Sequence, residues 1–406
     1  MNNKNYTKKN FPKDFLWGVA TSAYQIESGN NNSNWDAWTE KKRFEKVTDI
    51  LNSNTQYTED IKLIKSLNLN AYRLSIEWSR VEPQEGKWDI DSINYYKDLI
   101  TKLQDANIEP FVTLFHFSLP EWMQKKGGFK NRKNIQYYIR FVEFVVENLG
   151  NKVKFWITIN EPILFGVLSY VSGEWPPGEK NYFAYFKVKR ILERAHIEAY
   201  IKINKIYKKY NWGKPKISIA KNNIDATTND TFSEYPMKIY TFLWNYSFLD
   251  NIKKYIDFIG INYYFHQKVK LNFLSKEMPF LETIPDENVH QKQDVLDWEI
   301  YPKGIYNLTT CLYKRYKKEI YITENGISDT TDSKRSEFII QHLNFIKKAI
   351  DEGIPIKGYF YWTLVDNFEW VWGYKPKFGL AYIDKGKRIL KNSAKTYALI
   401  AKNKHI

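Results

Sequence analysis

Eight short runs of β-branched and aromatic residues recur along the chain, separated by stretches in which apolar residues return every three or four positions. The runs are FLWGVAT (15–21), AYRLSIE (71–77), EPFVTLF (109–115), FWITIN (155–160), KISIAK (216–221), FIGINYY (258–264), EIYITEN (319–325) and GYFYWTL (358–364). They are rich in Ile, Val, Phe, Tyr and Thr, as strands buried in a parallel sheet are. Between them the period changes to that of a helix. The stretch 58–69 places Ile61, Ile64 and Leu67 on one face behind a Thr–Glu–Asp start. Stretches 91–108, 133–150 and 334–353 follow the same rule, and Gly150 and Gly353 close the last two.

No Pro/Gly/Ser-rich linker, low-complexity block or close internal repeat divides the chain. Strand and helix alternating eight times predict an α/β fold, a single (β/α)₈ TIM barrel over residues 1–406, with its functional face at the C-terminal ends of the strands.

Composition adds limits. Of 406 residues, 43% are hydrophobic and 17% aromatic, which is ample material for a core and argues against disorder. Aromatic surplus serves either a large core or platforms for flat ligands. The net charge of +15 is mostly lysine spread along helical segments such as 187–210, which reads as a solvated helix face. No DNA- or RNA-reading signature accompanies it, so nucleic acid is not an expected partner. Cys311 is the single cysteine, so no disulfide framework exists. The basic start lacks a following apolar run, and no stretch approaches the ~20 apolar residues of a membrane span. A soluble, cytoplasmic protein without membrane contact is expected. No HExxH, spaced Cys/His set, EF-hand loop or phosphate-cradling glycine loop is present, so neither metal nor cofactor is expected. Oligomeric state has no signature in the sequence.

The chemistry lies where the strand-like runs stop. Gln25 and Glu27 follow the first. Arg73 is inside the second, with Glu77 and Trp78 at its end. His116 ends the third, and Asn160 and Glu161 the fourth. Asn262 and Tyr264 belong to the sixth, and Glu324 and Asn325 to the seventh. Trp362 is in the eighth, with Asp366, Asn367, Glu369 and Trp370 after it. A glutamate closing a barrel strand often does no more than pair with an arginine. Two of them on separate strand ends, amid so many polar and aromatic neighbours, suit cleavage of a glycosidic bond by one acid and one nucleophile.

The chain resembles glycoside hydrolase family 1, the β-glucosidase and β-galactosidase family. The resemblance is carried by FPKDFLWGVATSAYQIE (11–27), AYRLSIEWSR (71–80), LFHFSLPEW (114–122), TINEP (158–162), DFIGINYY (257–264), DWEIYPKG (297–304), YITENG (321–326) and WTLVDNFEWVWGYKPKFGL (362–380). It implies a retaining O-glycosidase that needs no cofactor, with Glu161 as acid/base and Glu324 as nucleophile, their carboxyl groups about 5 Å apart. Arg73 is then expected beside Glu324, and the Tyr264 hydroxyl on it. Gln25, His116, Asn160, Asn262, Glu369 and Trp370 are implied around the sugar, Trp362 beneath it and Trp298 toward the leaving group. The family branch that accepts 6-phosphorylated sugars replaces the glutamate at position 369 and adds Lys and Tyr. Here Glu369, Pro376 and Phe378 stand at those positions, which implies a non-phosphorylated β-glucoside, with β-galactosides and β-fucosides as further substrates.

Departures from the family pattern are Phe117 after His116, Ile163 after Pro162, Lys377 before Phe378, and a short segment between strands five and six. The last predicts a more open leaving-group side. Alternatives to hydrolysis are transglycosylation with the same glutamate pair and a catalytically weak sugar-binding relative.

Overall fold

Eight parallel strands pair side by side until the last meets the first. They are β1 (Leu16–Ala20), β2 (Ala71–Ser75), β3 (Glu109–Phe115), β4 (Phe155–Asn160), β5 (Lys216–Asn222), β6 (Ile259–Asn262), β7 (Ile320–Asn325) and β8 (Ile356–Trp362). The ring runs β1-β8-β7-β6-β5-β4-β3-β2. This computed structural model describes residues 10–48, 51–275, 281–285 and 294–406.

Each strand arises where its sequence is apolar on both faces. One face packs on the outer helices, and the other fills the barrel. Trp156, Ile217, Ile259 and Tyr359 belong to the outer layer, whereas Phe111, Phe155, Phe258, Tyr321 and Phe360 meet inside. The inner rings interlock closely. Phe111 and Phe155 stack with centroids 4.0 Å apart, and Phe111 meets Phe360 at 4.7 Å. The interior is a packed core rather than a pore.

The helices follow the predicted apolar faces at Ser53–Ser66, Ile90–Asp105, Ile135–Leu149 and Arg335–Asp351. Gly150 departs from its expected role. Its φ is −61°, so it does not supply a left-handed cap. A Cβ there would stand 2.6 Å from the Trp212 ring, so close packing is what calls for glycine. The lysine-rich stretch forms the 29-residue helix Tyr182–Tyr210.

Other differences lie beyond the barrel strands. Tyr264 is not in β6, which ends at Asn262, but in the following loop. A hairpin, Ala381–Asp384 with Lys387–Leu390, follows β8. A small sheet joins Asp225–Thr227, His266–Leu271 and Leu281–Ile284. Between β5 and β6, helical turns run from Glu234 to Ile252 through a wider turn at Phe242–Tyr246. Among the described residues, no helix is long and apolar enough to cross a membrane.

Two irregularities decide what the upper barrel presents. Side chains on a strand alternate, so Ile157 and Tyr321, both in the inner cluster, would put Asn160 and Glu324 outward. The pairing register shifts between Ile157 and Asn160 on β4, and between Ile322 and Glu324 on β7. Each shift resets the alternation, so both polar residues enter the barrel mouth.

Candidate active site

Glu161 follows the last residue of β4 in a left-handed conformation, with φ 43° and ψ 57°. This turns the chain from the strand into the helix Pro162–Tyr170, and Pro162 suits the first helical position. The Glu161 amide donates to the Ala220 carbonyl at 2.7 Å, which ties the turn to β5. Phe117 (φ 71°) and Trp370 (φ 51°) are also left-handed. All three line one cleft, so its wall carries backbone strain at three positions.

Glu324 reaches the same cleft from β7. The next residue but one is Gly326, where a Cβ would lie 2.0 Å from the Trp362 carbonyl oxygen. Only glycine lets these two segments approach so closely. Arg73, fully buried in β2, donates through Nη1 to Glu324 Oε1 and to the Thr323 carbonyl (3.2 Å), and through Nη2 to Asn160 Oδ1 (2.7 Å). Its Nε donates to Thr113. The Tyr264 hydroxyl donates to the other Glu324 oxygen at 2.6 Å. Burial, then the Glu324 charge, raises the phenol well above its ordinary pKa and keeps it a donor.

The surroundings of Glu161 differ. Asn262 Nδ2 donates to its Oε1 at 2.6 Å, and no cation pairs with it among the described residues. Burial first, and the nearby Glu324 second, push its pKa up to about 8. Asn262 also donates to Asn160 Oδ1 (3.2 Å) and accepts from Thr323 Oγ1 (2.7 Å). A continuous chain of hydrogen bonds thus runs Glu161–Asn262–Asn160–Arg73–Glu324. Asn262 was expected against the sugar. Its amide is instead engaged behind the carboxylates and is absent from the cleft lining.

Gln25 donates from Nε2 to the Phe368 carbonyl (2.7 Å) and to Glu369 Oε2 (3.2 Å). Burial, then the Glu324 charge, raises Glu369 to about 8. Asn160 Nδ2 donates to His116 Nε2 at 3.2 Å, which leaves the proton of a neutral ring on Nδ1. Burial and the Arg73 charge hold His116 well below its ordinary pKa, so the ring is neutral. Its Nδ1 is buried with no hydrogen-bond partner among the described residues. His116 lies nearly parallel to Trp362 and Trp370, at 6.0 and 6.3 Å.

The cleft, about 980 Å³ including its open mouth, brings together Gln25, His116, Glu161, Tyr264, Trp298, Glu324, Trp362, Glu369 and Trp370. Arg73, Asn160 and Asn262 stand behind that surface. Glu27 pairs with Arg80 (2.9 Å), Glu77 accepts from Ser118 (2.6 Å), and Asp366 pairs with Lys391 (2.8 Å), all outside the lining. His196, His266 and His342 are held by Tyr255, Glu299 and Phe338. His290 lies outside the described residues.

Sequence reasoning missed the apolar outer wall of Leu164, Leu168, Phe265, Leu296 and Val371. Leu164 and Leu168 share a face four residues apart behind Glu161, a signal that was available. Ile163, one of the departures from the family pattern, is buried in the outer core, and Leu164 lines the cleft. Among the described residues no cluster of His, Cys, Asp or Glu is placed to hold a metal.

The model for glycosyl hydrolase family 1 matches residues 7–234 and 245–406. The chain is 33% identical to a 1,4-β-D-glucan glucohydrolase of Thermotoga neapolitana, over 97% of this chain and 99% of that protein. Its fold superposes on a β-glycosidase from Pyrococcus horikoshii with a TM-score of 0.90 at 36% identity, covering 98% of this chain and 96% of that one. A β-glucosidase from Thermotoga maritima, solved with glucoimidazole, gives 0.89 at 30% identity, covering 98% and 100%. The chain belongs to glycosyl hydrolase family 1 and is an O-glycoside hydrolase.

Proposed function

We propose that the protein is a retaining β-glycosidase that hydrolyses non-phosphorylated β-D-glucosides through a covalent glycosyl-enzyme. The observation that carries this reading is the unequal setting of two carboxyl groups on one cleft. Glu324 accepts from Arg73 through one oxygen and from Tyr264 through the other, contacts that fix its aim as a nucleophile. Glu161 is held by a single amide in a setting that keeps its proton.

In the first step Glu324 attacks the anomeric carbon while Glu161 protonates the departing oxygen. Once Glu324 is an ester its charge is gone, and the second cause of the raised Glu161 pKa goes with it. Glu161 then ionises more readily and takes a proton from the attacking water. His116 supplies a hydrogen bond to a sugar hydroxyl, and Trp362 offers a flat face to the C–H side of the ring. Gln25 and Glu369 grip the hydroxyls at the far end. A phosphate there would meet a carboxyl group, Pro376 and Phe378 rather than cations, which disfavours 6-phosphorylated sugars.

The leaving-group side is read as apolar and open, with Trp298 and the leucines of the outer wall contacting the aglycone. The shortened segment between β5 and β6 supports the openness. The alignment to the T. neapolitana protein spans 443 positions against 406 residues here, so it contains gaps in this chain. The whole chain is read as one barrel domain.

Proton NMR of the first-formed sugar from a nitrophenyl β-glucoside tests the reading. Release of the β-anomer is expected. In Glu324→Ala, added azide restores turnover and gives the α-glucosyl azide. First release of the α-anomer by the wild type refutes the retaining mechanism.

A further inference from the structure

Five tryptophans line the cleft, and four of them rest on other rings. Trp362 faces His116, Trp370 meets Trp35, Trp175 meets Phe117, and Trp298 meets Phe265. Trp372 is the exception. It is 50% exposed, and among the described residues no ring or cation stacks on it and its Nε1 donates to nothing. One exposed apolar side chain on an open surface is ordinary. An indole left bare in the wall of a substrate cleft has a flat face to offer a ligand.

The turn beneath this indole is fastened on both sides. Trp372 closes the short helical turn Trp370–Trp372, and its amide donates to the Glu369 carbonyl at 2.9 Å. The Glu369 amide donates to the Gly373 carbonyl at 2.7 Å. Gly373 has φ 59°, and a Cβ there would stand 2.1 Å from Glu45 Oε2. That carboxylate accepts the Tyr374 amide at 3.0 Å, and the Tyr374 hydroxyl accepts the Thr48 amide at 2.9 Å. The platform is therefore in place before a ligand arrives, which lowers the ordering cost of binding.

Its place is at the mouth. Glu161 and Glu324 are only 4% exposed, whereas Trp372 and Glu174 are the two exposed residues of the lining. Trp175, next to Glu174, meets Trp370 at 5.6 Å, so the two rim residues come from segments that touch. Glu174 pairs with no cation among the described residues. The sugar that is cleaved off occupies the buried end beside both catalytic carboxyl groups, so whatever reaches the rim belongs to the leaving group. A pyranose presents an apolar C–H face and a ring of hydroxyls. The bare indole meets the first, and its Nε1 and the free carboxylate meet the second. An alkyl chain would gain nothing from the carboxylate. We propose that Trp372 and Glu174 form a binding site for a sugar of the leaving group, which makes β-linked gluco-oligosaccharides the substrates this cleft favours. The inference rests on the reading of the cleft as the place where the glycoside is cleaved.

The test compares kcat/KM on a trisaccharide, cellotriose or laminaritriose, whichever the wild type cleaves faster, with kcat/KM on β-glucosyl fluoride. The leaving group of the fluoride is a single atom and cannot reach the rim. In Trp372→Ala the ratio of trisaccharide to fluoride falls by about tenfold, chiefly through KM for the trisaccharide. In Trp372→Phe, which keeps a flat ring, it falls by less than about threefold, and in Glu174→Ala by about threefold. Tm holds in all three, because both side chains face water. A second measurement uses the inactive Glu324→Gln, with the Trp372 indole N–H resonance assigned by its loss on adding Trp372→Phe. That resonance shifts with the trisaccharide and not with methyl β-glucoside. An unmoved ratio in Trp372→Ala, including an equal loss on both substrates, overturns the sugar site and leaves the reading of the cleft standing. So does an indole resonance that ignores the trisaccharide, a wild type that cleaves the fluoride but neither trisaccharide, or a larger loss on octyl β-glucoside than on the trisaccharide. A wild type that cleaves none of these substrates refutes the reading of the cleft itself.

Discussion

The two halves of the barrel interior are built on opposite principles. Toward the N-terminal ends of the strands, Phe111, Phe155, Phe258, Tyr321 and Phe360 pack ring against ring. Toward the C-terminal ends, Arg73, Asn160, Glu161, Asn262 and Glu324 are just as buried but polar. The first half gains stability by removing apolar surface from water. The second spends part of that gain on desolvated groups held where chemistry needs them. One ring of strands can carry both because each half occupies a different layer.

The largest effect expected from separating the halves is on catalysis. Glu324→Gln lowers kcat/KM by about 10⁴-fold or more while the circular dichroism spectrum stays native. A loss under tenfold removes Glu324 from the chemistry. Glu161→Gln comes next, with a loss of ~10²–10⁴-fold on substrates with poor leaving groups and much less on a dinitrophenyl glucoside. Equal losses on both substrates argue against an acid role. The wild-type kcat/KM falls above about pH 8, where Glu161 loses its proton.

The same residue links the two halves through stability. A carboxyl group with a raised folded pKa binds its proton more tightly when folded than when unfolded. Its contribution is therefore full below the unfolded value and is lost as pH rises through the folded one. Glu161→Gln accordingly raises Tm at pH 8 and above but leaves it little changed near pH 4, as thermal melts at both pH values can show.

Phe111→Ala probes the other layer. It costs about 3–5 kcal/mol of unfolding free energy in denaturant titrations, while KM at low temperature holds. A selective loss of kcat instead shows that the layers are not separable. The smallest effect is on the outer wall. Leu164→Ala with Leu168→Ala weakens octyl relative to methyl β-glucoside by about tenfold in kcat/KM. An unchanged ratio removes these leucines from the aglycone path.

The two halves also differ in how well the sequence shows them. Strands β3 and β4 match their predicted limits, because a strand buried on both faces is a bare apolar run. The two glutamates stand out because they interrupt such runs. Their direction does not, since a register shift leaves no mark in composition, and simple alternation points Glu324 the wrong way. Lys221 ends a run read only as a strand, and one sequence cannot tell a buried lysine from a solvated one. The hairpin Ala381–Leu390 and the sheet around His266–Leu271 were missed because their strands are short and mixed in polarity, so packing rather than pattern fixes them. Asn262 was assigned to the ligand when its partners are Glu161, Asn160 and Thr323. Residue type shows that an amide is needed at the site, not which way it faces.

Closure of the ring has a consequence for behaviour in crowded solution. A strand with a bare flank offers amide and carbonyl groups to any passing chain. Here all eight main strands have both flanks occupied. Among the described residues, such flanks remain only on the hairpin Ala381–Leu390 and the three-strand sheet. Edge-to-edge clumping of the native protein would have to start at those two outlying ribbons, so they are the places to blunt with charge if the protein is to be stored concentrated.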